Sequence, residues 1–128
     1  MDNKFCTINL EKNMPKVNEF KSMLILEIEK AISNDIYVLK LIHGYGSTGI
    51  GGSLKMVAQK ILSAEKKKGR VESYVAGENW HIFNEITREI LDLCPEIRKD
   101  SDLGRYNPGI TIVLLNPYQK YLSLSFEF

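Results

Sequence analysis

Residues 36–52 read IYVLKLIHGYGSTGIGG and place a glycine-rich segment directly after an apolar run. Five of the nine glycines of the chain fall within this stretch. The first seven residues are β-branched or aliphatic almost throughout, which is typical of a strand buried on both faces. Ser53 can cap a following helix, whose apolar residues recur at helical spacing: Leu54, Val57, Ala58, Ile61 and Leu62. The stretch therefore predicts a strand, a glycine loop and a helix in that order.

A loop of this kind predicts a phosphate site. Glycines permit positive φ and remove side chains that would keep a ligand away, and a helix start offers unpaired N–H groups to an anion. A tight turn with spare glycines would use the same residues for structure alone. We expect nucleic-acid contacts from the following residues: His43, Gly44, Tyr45, Gly46, Ser47, Thr48, Gly49, Gly51, Gly52, Ser53 and Lys55.

Two nucleotide motifs are matched only in part. Residues 44–49 satisfy G-x-G-x-x-G after a strand, but Ile50-Gly51-Gly52 delay the helix and no acidic residue ends the next predicted strand. The spacing of Gly46 and Ser53 fits a P-loop, yet Gly52 stands where the phosphate-binding lysine is required. We therefore expect no nucleotide cofactor and no ATP or GTP hydrolysis.

Composition indicates one ordinary globular domain. The chain has 128 residues, of which 44% are hydrophobic and 26% charged, and this is enough to bury a core without disulfides. Cys6 and Cys94 are isolated, so we expect reduced thiols and no zinc site. No apolar run has the length of a membrane span, and the N-terminus lacks a signal-peptide core. We expect a cytoplasmic protein without membrane partners.

Charge is distributed unevenly along the chain. Residues 40–70 contain seven basic residues and one acidic residue, whereas residues 71–104 contain eight acidic and three basic residues. The glycine loop belongs to the basic part, which favours a polyanionic partner. We expect Lys55, Lys60 and Arg70 to share one positive surface with the loop. The lysines at 66–68 are equally typical of a solvated helix end.

The remaining pattern alternates strands and helices. A predicted strand at 5–10 precedes a helix capped by Asn13, and later strands are predicted at 70–75, 109–115 and 121–128. A third helix, capped by Asn79 and stopped by Pro95, would turn four apolar residues inward: Phe83, Ile86, Ile90 and Leu93. This order implies an α/β domain with a mixed sheet.

Together these features resemble the small MutS-related (Smr) domain family. Residues 38–49 are similar to that family's strand and His-Gly-x-Gly loop, and residues 108–115 are similar to its glycine-led last strand. The resemblance implies an α/β two-layer sandwich with a mixed, largely parallel sheet, like the C-terminal domain of translation initiation factor 3. Residues 1–128 would then form a single Smr-like domain. The resemblance also implies binding to DNA or RNA and, in some members, endonucleolytic cleavage.

The chain departs from the family pattern at the end of its first strand. Members usually carry Leu-Asp-x-His-Gly there, where this chain has Ile8-Asn9-Leu10-Glu11-Lys12. A carboxylate that is normally ionised at neutral pH would replace an imidazole, which leaves an endonuclease or nickase as the alternative to binding alone. The candidate catalytic residue is then His43, whose ring could instead contact a phosphate or hold the loop by hydrogen bonds. Tyr45 and Trp80 are candidates for stacking or packing.

Relative to the family, we expect residues 77–108 to form a helical insertion. Its acidic residues could repel nucleic acid, mask the basic loop, or bind a basic protein partner. A regular apolar stripe needs somewhere to pack, so we expect the segment to cover the sheet rather than the loop.

Overall fold

The computed structural model describes residues 4–12, 15–45 and 50–116, and of residues 50–53 it describes the backbone. The strands are β1 (Phe5–Asn9), β2 (Val38–Ile42), β3 (Val71–Ala76) and β4 (Ile110–Leu115). The helices are α1 (Val17–Ser33), α2 (Ile50–Lys67) and α3 (Glu85–Leu93), with 3₁₀ turns at Gly77–Asn79 and Pro95–Lys99. The strand predicted at 121–128 lies outside the described residues.

The four strands form one mixed sheet in the order β1-β2-β4-β3. β1 pairs with β2 in parallel, and β4 runs antiparallel to both β2 and β3. β1, β2 and β3 therefore run in the same direction, and their last residues lie on one side of the sheet. We call this side the strand end. The predicted α/β class with a mixed sheet is confirmed.

Helices α1 and α2 cover the first face of the sheet. The inward positions of α1 recur at helical spacing, as do those of α2. Both sets pack on alternate residues of the two central strands, and the main contributors are Phe20, Leu24, Ile28, Leu54, Ala58, Leu62, Leu39, Leu41 and Val113. Burying each large apolar side chain stabilises the fold by about 1.5–3 kcal/mol.

The segment 77–108, which we call the insert, covers the second face. Its buried residues, Trp80, Ile90, Leu91, Cys94 and Ile97, pack on the other set of strand residues, Val38, Val75, Ile110, Ile112 and Leu114. This third layer is added to the two layers that the family resemblance implied. It explains why β2 and β4 are apolar on both faces, since neither face meets water. The segment is part of the hydrophobic core.

The third helix begins later than its sequence pattern predicted. Asn84 caps it rather than Asn79, and its side-chain oxygen accepts a hydrogen bond from the Thr87 N–H at 2.9 Å. Phe83 therefore precedes the helix and is 80% exposed, and Leu93 at its last position is 56% exposed. Both were expected to point inward, and that prediction was wrong. The packing role expected of Phe83 falls to Trp80, which is fully buried.

A buried cation fastens the insert to the sheet. Lys40 on β2 is 6% exposed, and its Nζ atom lies 2.6 Å from Asp100 Oδ1 and 2.6 Å from Asp102 Oδ2. Trp80 Nε1 donates to Asp100 at 3.1 Å. Burial lowers the pKa of Lys40, but the hydrogen bonds to the two carboxylates outweigh it and the net pKa is raised. Lys40 is therefore charged, and its charge is neutralised inside the protein.

Lys40→Met is expected to lower the free energy of unfolding by about 3–5 kcal/mol, because it leaves two carboxylates without a counter-charge next to the sheet. Urea denaturation followed by circular dichroism measures the change. Lys60→Met removes an exposed lysine from α2 and is the control, with an expected effect within about 0.5 kcal/mol. Equal stability of the two variants would contradict an anchoring role for Lys40.

Candidate nucleic-acid interface

Polar residues follow the three strands that terminate at the strand end, and a glycine precedes the fourth strand there. Glu11 follows β1 by two residues, His43 follows β2 directly, and Glu78 follows β3 by two residues. Gly109 lies immediately before β4, and α2 begins at Ile50 beyond the glycine loop. Ligand sites of α/β sheets form where strands end in this way. We call this group the strand-end site.

Gly44 has a backbone conformation that favours glycine, and it lies against the Glu11 side chain. Its φ is +79°, a conformation that favours glycine, and a Cβ atom there would collide with the Glu11 carboxylate. The N–H groups of His43 and Gly44 both donate to the Gly109 carbonyl, at 3.1 and 3.0 Å. The start of the loop is thus bonded to the start of β4 and lies against Glu11.

His43 is fully buried beneath the start of the loop. Its Nδ1 atom lies 2.9 Å from the Gly44 carbonyl oxygen, and its Nε2 atom lies 2.8 Å from Thr111 Oγ1. A carbonyl can only accept, so Nδ1 carries the proton and donates it. In the neutral ring Nε2 then accepts from the Thr111 hydroxyl. The imidazole joins the loop to β4, in line with the structural alternative for this residue.

Burial lowers the pKa of His43 from its ordinary value. The hydrogen bond to Gly44 and the charges of Glu11 and Glu78 act in the opposite direction, the Lys55 charge adds to the lowering, and the net pKa is lowered. The ring is therefore neutral at pH 7. With no exposed surface, it reaches a ligand only if the loop moves.

Lys55 and Tyr45 form the outer part of the strand-end site. Lys55 is 7% exposed, and its Nζ atom lies 2.8 and 2.7 Å from the two carboxylate oxygens of Glu78. The same Nζ lies 5.2 Å from the centre of the Tyr45 ring, and Tyr45 is 63% exposed. Partial burial raises the pKa of Glu78, but the bond from Lys55 prevails and the net pKa is lowered. The ion pair therefore persists at neutral pH.

The helix after the loop starts three residues before its predicted cap. Because α2 begins at Ile50, Gly51, Gly52 and Ser53 belong to its first turn, and the prediction that Ser53 opens the helix was wrong. Glycine costs a helix only about 1 kcal/mol relative to alanine, so two glycines do not stop it. Residues 46–49, which include the candidates Gly46, Ser47, Thr48 and Gly49, lie outside the described residues.

In the part of the chain that the structure describes, Lys55 and Arg70 do not share the single positive surface expected from sequence. Arg70 bonds to Glu65 and Glu29 beyond the far end of α2, a helix about 27 Å long at 1.5 Å per residue. Lys55 is paired with Glu78 from the insert, and that pairing was not anticipated. Lys55 and Arg70 belong to the same basic part of the sequence, but most of the length of α2 separates them in the structure.

Three residues of the strand-end site were missed from the sequence. Glu78 was counted only as part of an acidic segment, and Gly109 only as the start of a strand. Thr111 is a hydroxyl in an otherwise apolar, fully buried strand, and it bonds to His43. A lone polar residue in such a strand needs a buried partner, so this signal could have identified it.

Within the described ranges, no three or more His, Cys, Asp and Glu side chains are grouped so that they could hold a metal ion. Burial, together with the neighbouring Glu96, raises the pKa of Cys94 to about 11, so its thiol is protonated.

No helix in the described part of the chain is long and apolar enough to cross a membrane.

The architecture is that of the Smr fold. The structure is similar to that of the Smr domain of Thermus thermophilus MutS2, with a TM-score of 0.55. The two sequences are 22% identical, and the match covers 87% of this chain and 98% of that domain. No family model and no curated protein matches the sequence. The fold expected from the strand and glycine loop is therefore confirmed by structure, although sequence identity is low.

The lowered pKa of His43 predicts a loss of stability in mild acid. The unfolded chain takes up a proton near the ordinary histidine pKa, about 6.5, whereas the folded protein does so only at lower pH. The contribution of the neutral His43 ring to the free energy of unfolding is thus present above pH 6.5, and it is lost as the pH is lowered below that value. Urea unfolding at pH 7.5 and 5.5 measures this, and His43→Gln should show a smaller difference between the two. An equal difference in both proteins would contradict a buried neutral ring.

Proposed function

We propose that this domain binds nucleic acid at the strand-end site. The observation that carries the proposal is the convergence of three strand ends, the N-terminus of α2 and an exposed tyrosine next to a lysine at one end of an Smr-fold sheet. Nucleic-acid binding is also what the family resemblance implies.

The phosphate backbone would be held by the start of α2. This helix has 18 residues, so its first N–H groups lack partners within the helix and its positive dipole end faces the loop. Gly51 and Gly52 allow a phosphate to approach those N–H groups closely. A contact of this kind does not depend on the nucleotide sequence, because it involves only the sugar-phosphate backbone.

Lys55 and Glu78 would set the affinity of this phosphate contact. A phosphate oxygen can replace the Glu78 carboxylate as the partner of Lys55, since the side chain of Glu78 is 45% exposed and can swing into solvent. Tyr45 supplies an exposed ring on which a base can stack. In the unliganded protein Glu78 occupies Lys55 and competes with the ligand.

His43 would position the loop rather than transfer protons. Both ring nitrogens are engaged, one by Gly44 and the other by Thr111, and the ring is neutral. Glu11, which replaces the family's histidine, lies against Gly44. A general acid must reach its substrate to act. We therefore propose binding without cleavage through His43.

Substitutions of Lys55 and of Glu78 are expected to change nucleic-acid affinity in opposite directions. Lys55→Met should weaken binding to DNA or RNA at low salt by about 1 kcal/mol, roughly fivefold, because a phosphate contact is lost. Glu78→Gln should tighten binding because the competing carboxylate is removed. Fluorescence anisotropy with labelled DNA and RNA at two salt concentrations measures both. Lys67→Met, at the far end of α2, is the matched control and should change affinity less.

Unchanged affinity in the Lys55 and Glu78 variants would remove the strand-end site from the binding face. The absence of any salt-sensitive binding by the native protein, together with capture of a basic protein through the acidic insert, would instead favour a protein-interaction module.

A further inference from the structure

Three aromatic rings meet on the surface of the insert, away from the core that the insert covers. The ring centre of His81 lies 6.1 Å from that of Phe83 and 5.6 Å from that of Tyr106. Phe83 is 80% exposed and Tyr106 is 60% exposed. We call these three residues the aromatic platform. Two large rings facing water contribute little to folding stability, which indicates a role other than packing.

The backbone holds the platform in place. Tyr106 has a φ of +57°, which costs a residue other than glycine roughly 1–2 kcal/mol. The Asn84 N–H donates to the His81 carbonyl at 3.0 Å, and the Gly104 N–H donates to the Trp80 carbonyl at 2.8 Å. The two segments that carry the rings are thus fixed relative to each other and to the buried Trp80. An exposed ring held against a strained backbone is a preorganised contact.

Two arginines flank the platform. Arg88 Nη1 donates to the Ile82 carbonyl at 3.0 Å, which places this guanidinium beside the segment of Phe83. Arg105 precedes Tyr106 and is exposed. Over residues 4–12, 15–45 and 50–116, neither guanidinium has a carboxylate within ion-pair distance. Exposed rings next to cations are the combination that single-stranded nucleic acids bind.

The platform is close to the strand-end site. Only two residues separate Glu78 from His81 along the chain, so their Cα atoms are at most about 11 Å apart. On the other side, Tyr106 precedes Asn107, whose carbonyl oxygen lies directly against Gly77. A nucleic acid that contacts Lys55 and Tyr45 can therefore reach the platform with its next nucleotides.

We propose that the aromatic platform stacks unpaired bases, so that this domain selects single-stranded over duplex nucleic acid. The inference rests on the proposed function, because the backbone of the same strand would be held at the strand-end site. In a duplex the bases are paired and stacked on each other, and their faces cannot meet Phe83 or Tyr106. The two arginines would contact the phosphates on either side of the stacked bases.

The test compares single strands with a duplex of the same length. The probes are fluorescently labelled dT12, rU12 and a 12-base-pair DNA duplex, measured by anisotropy at low salt with the full chain. Phe83→Ala removes one ring, and Tyr106→Asn removes the other with a residue that tolerates positive φ. Leu26→Ala removes an exposed apolar side chain from α1 on the opposite face and is the matched control. Circular dichroism melting checks that each variant is folded.

The native protein should bind dT12 or rU12 more tightly than the duplex. Each platform variant should lose about fivefold or more in single-strand affinity, with duplex affinity and melting temperature unchanged. An abasic 12-mer should bind as weakly to the native protein as to Phe83→Ala. Equal losses on single strand and duplex, no loss on either, or a native preference for the duplex would each overturn the proposal while leaving nucleic-acid binding intact. A native protein that binds none of the probes would overturn the proposed function itself.

Discussion

One buried cation in a central strand sets the position of everything on the second face of the sheet. A lysine inside a covered sheet is tolerated only when opposite charges meet it there, because an unpaired buried charge is strongly destabilising. Asp100 and Asp102 supply those charges from the insert, at 2.6 Å each. Trp80 fills the adjoining core and bonds to Asp100. The insert is therefore fixed against the sheet, and its two ends lie at the strand end because β3 ends there and β4 begins there.

The same polar cluster extends to the glycine loop. Asn107 Nδ2 donates to Asp102 at 3.0 Å, and the other side-chain atom of Asn107 accepts from the Gly109 N–H at 2.9 Å. The Gly109 carbonyl in turn accepts from His43 and Gly44. A continuous line of hydrogen bonds thus runs from the core cation to the start of the loop. The acidic insert thus bonds to the start of the loop through Asn107 and Gly109, and it contributes Glu78 to the strand-end site.

Local patterns in the sequence predicted the elements, and long-range pairings decided the site. The apolar run at 36–42 and the helical spacing after it were sufficient for β2 and α2, because both depend on neighbouring residues. The partners of Lys40, His43 and Lys55 lie 60, 68 and 23 residues away, beyond what spacing can show. The prediction that Phe83 points inward was wrong for a related reason. Two asparagines could cap the third helix, and local spacing did not distinguish Asn84 from Asn79.

The central claim is that nucleic acid binds at the strand end and not along the lysine-rich far end of α2. Titration of the ¹⁵N-labelled protein with dT12, followed by amide chemical shifts, tests this directly. We expect the amide shifts of Lys67 and Arg70 to stay unchanged, and the changes to concentrate at the strand end and the aromatic platform: Gly44, Tyr45, Lys55, Glu78, Phe83 and Tyr106. Shifts confined to the far end of α2, or none at saturating oligonucleotide, would contradict it.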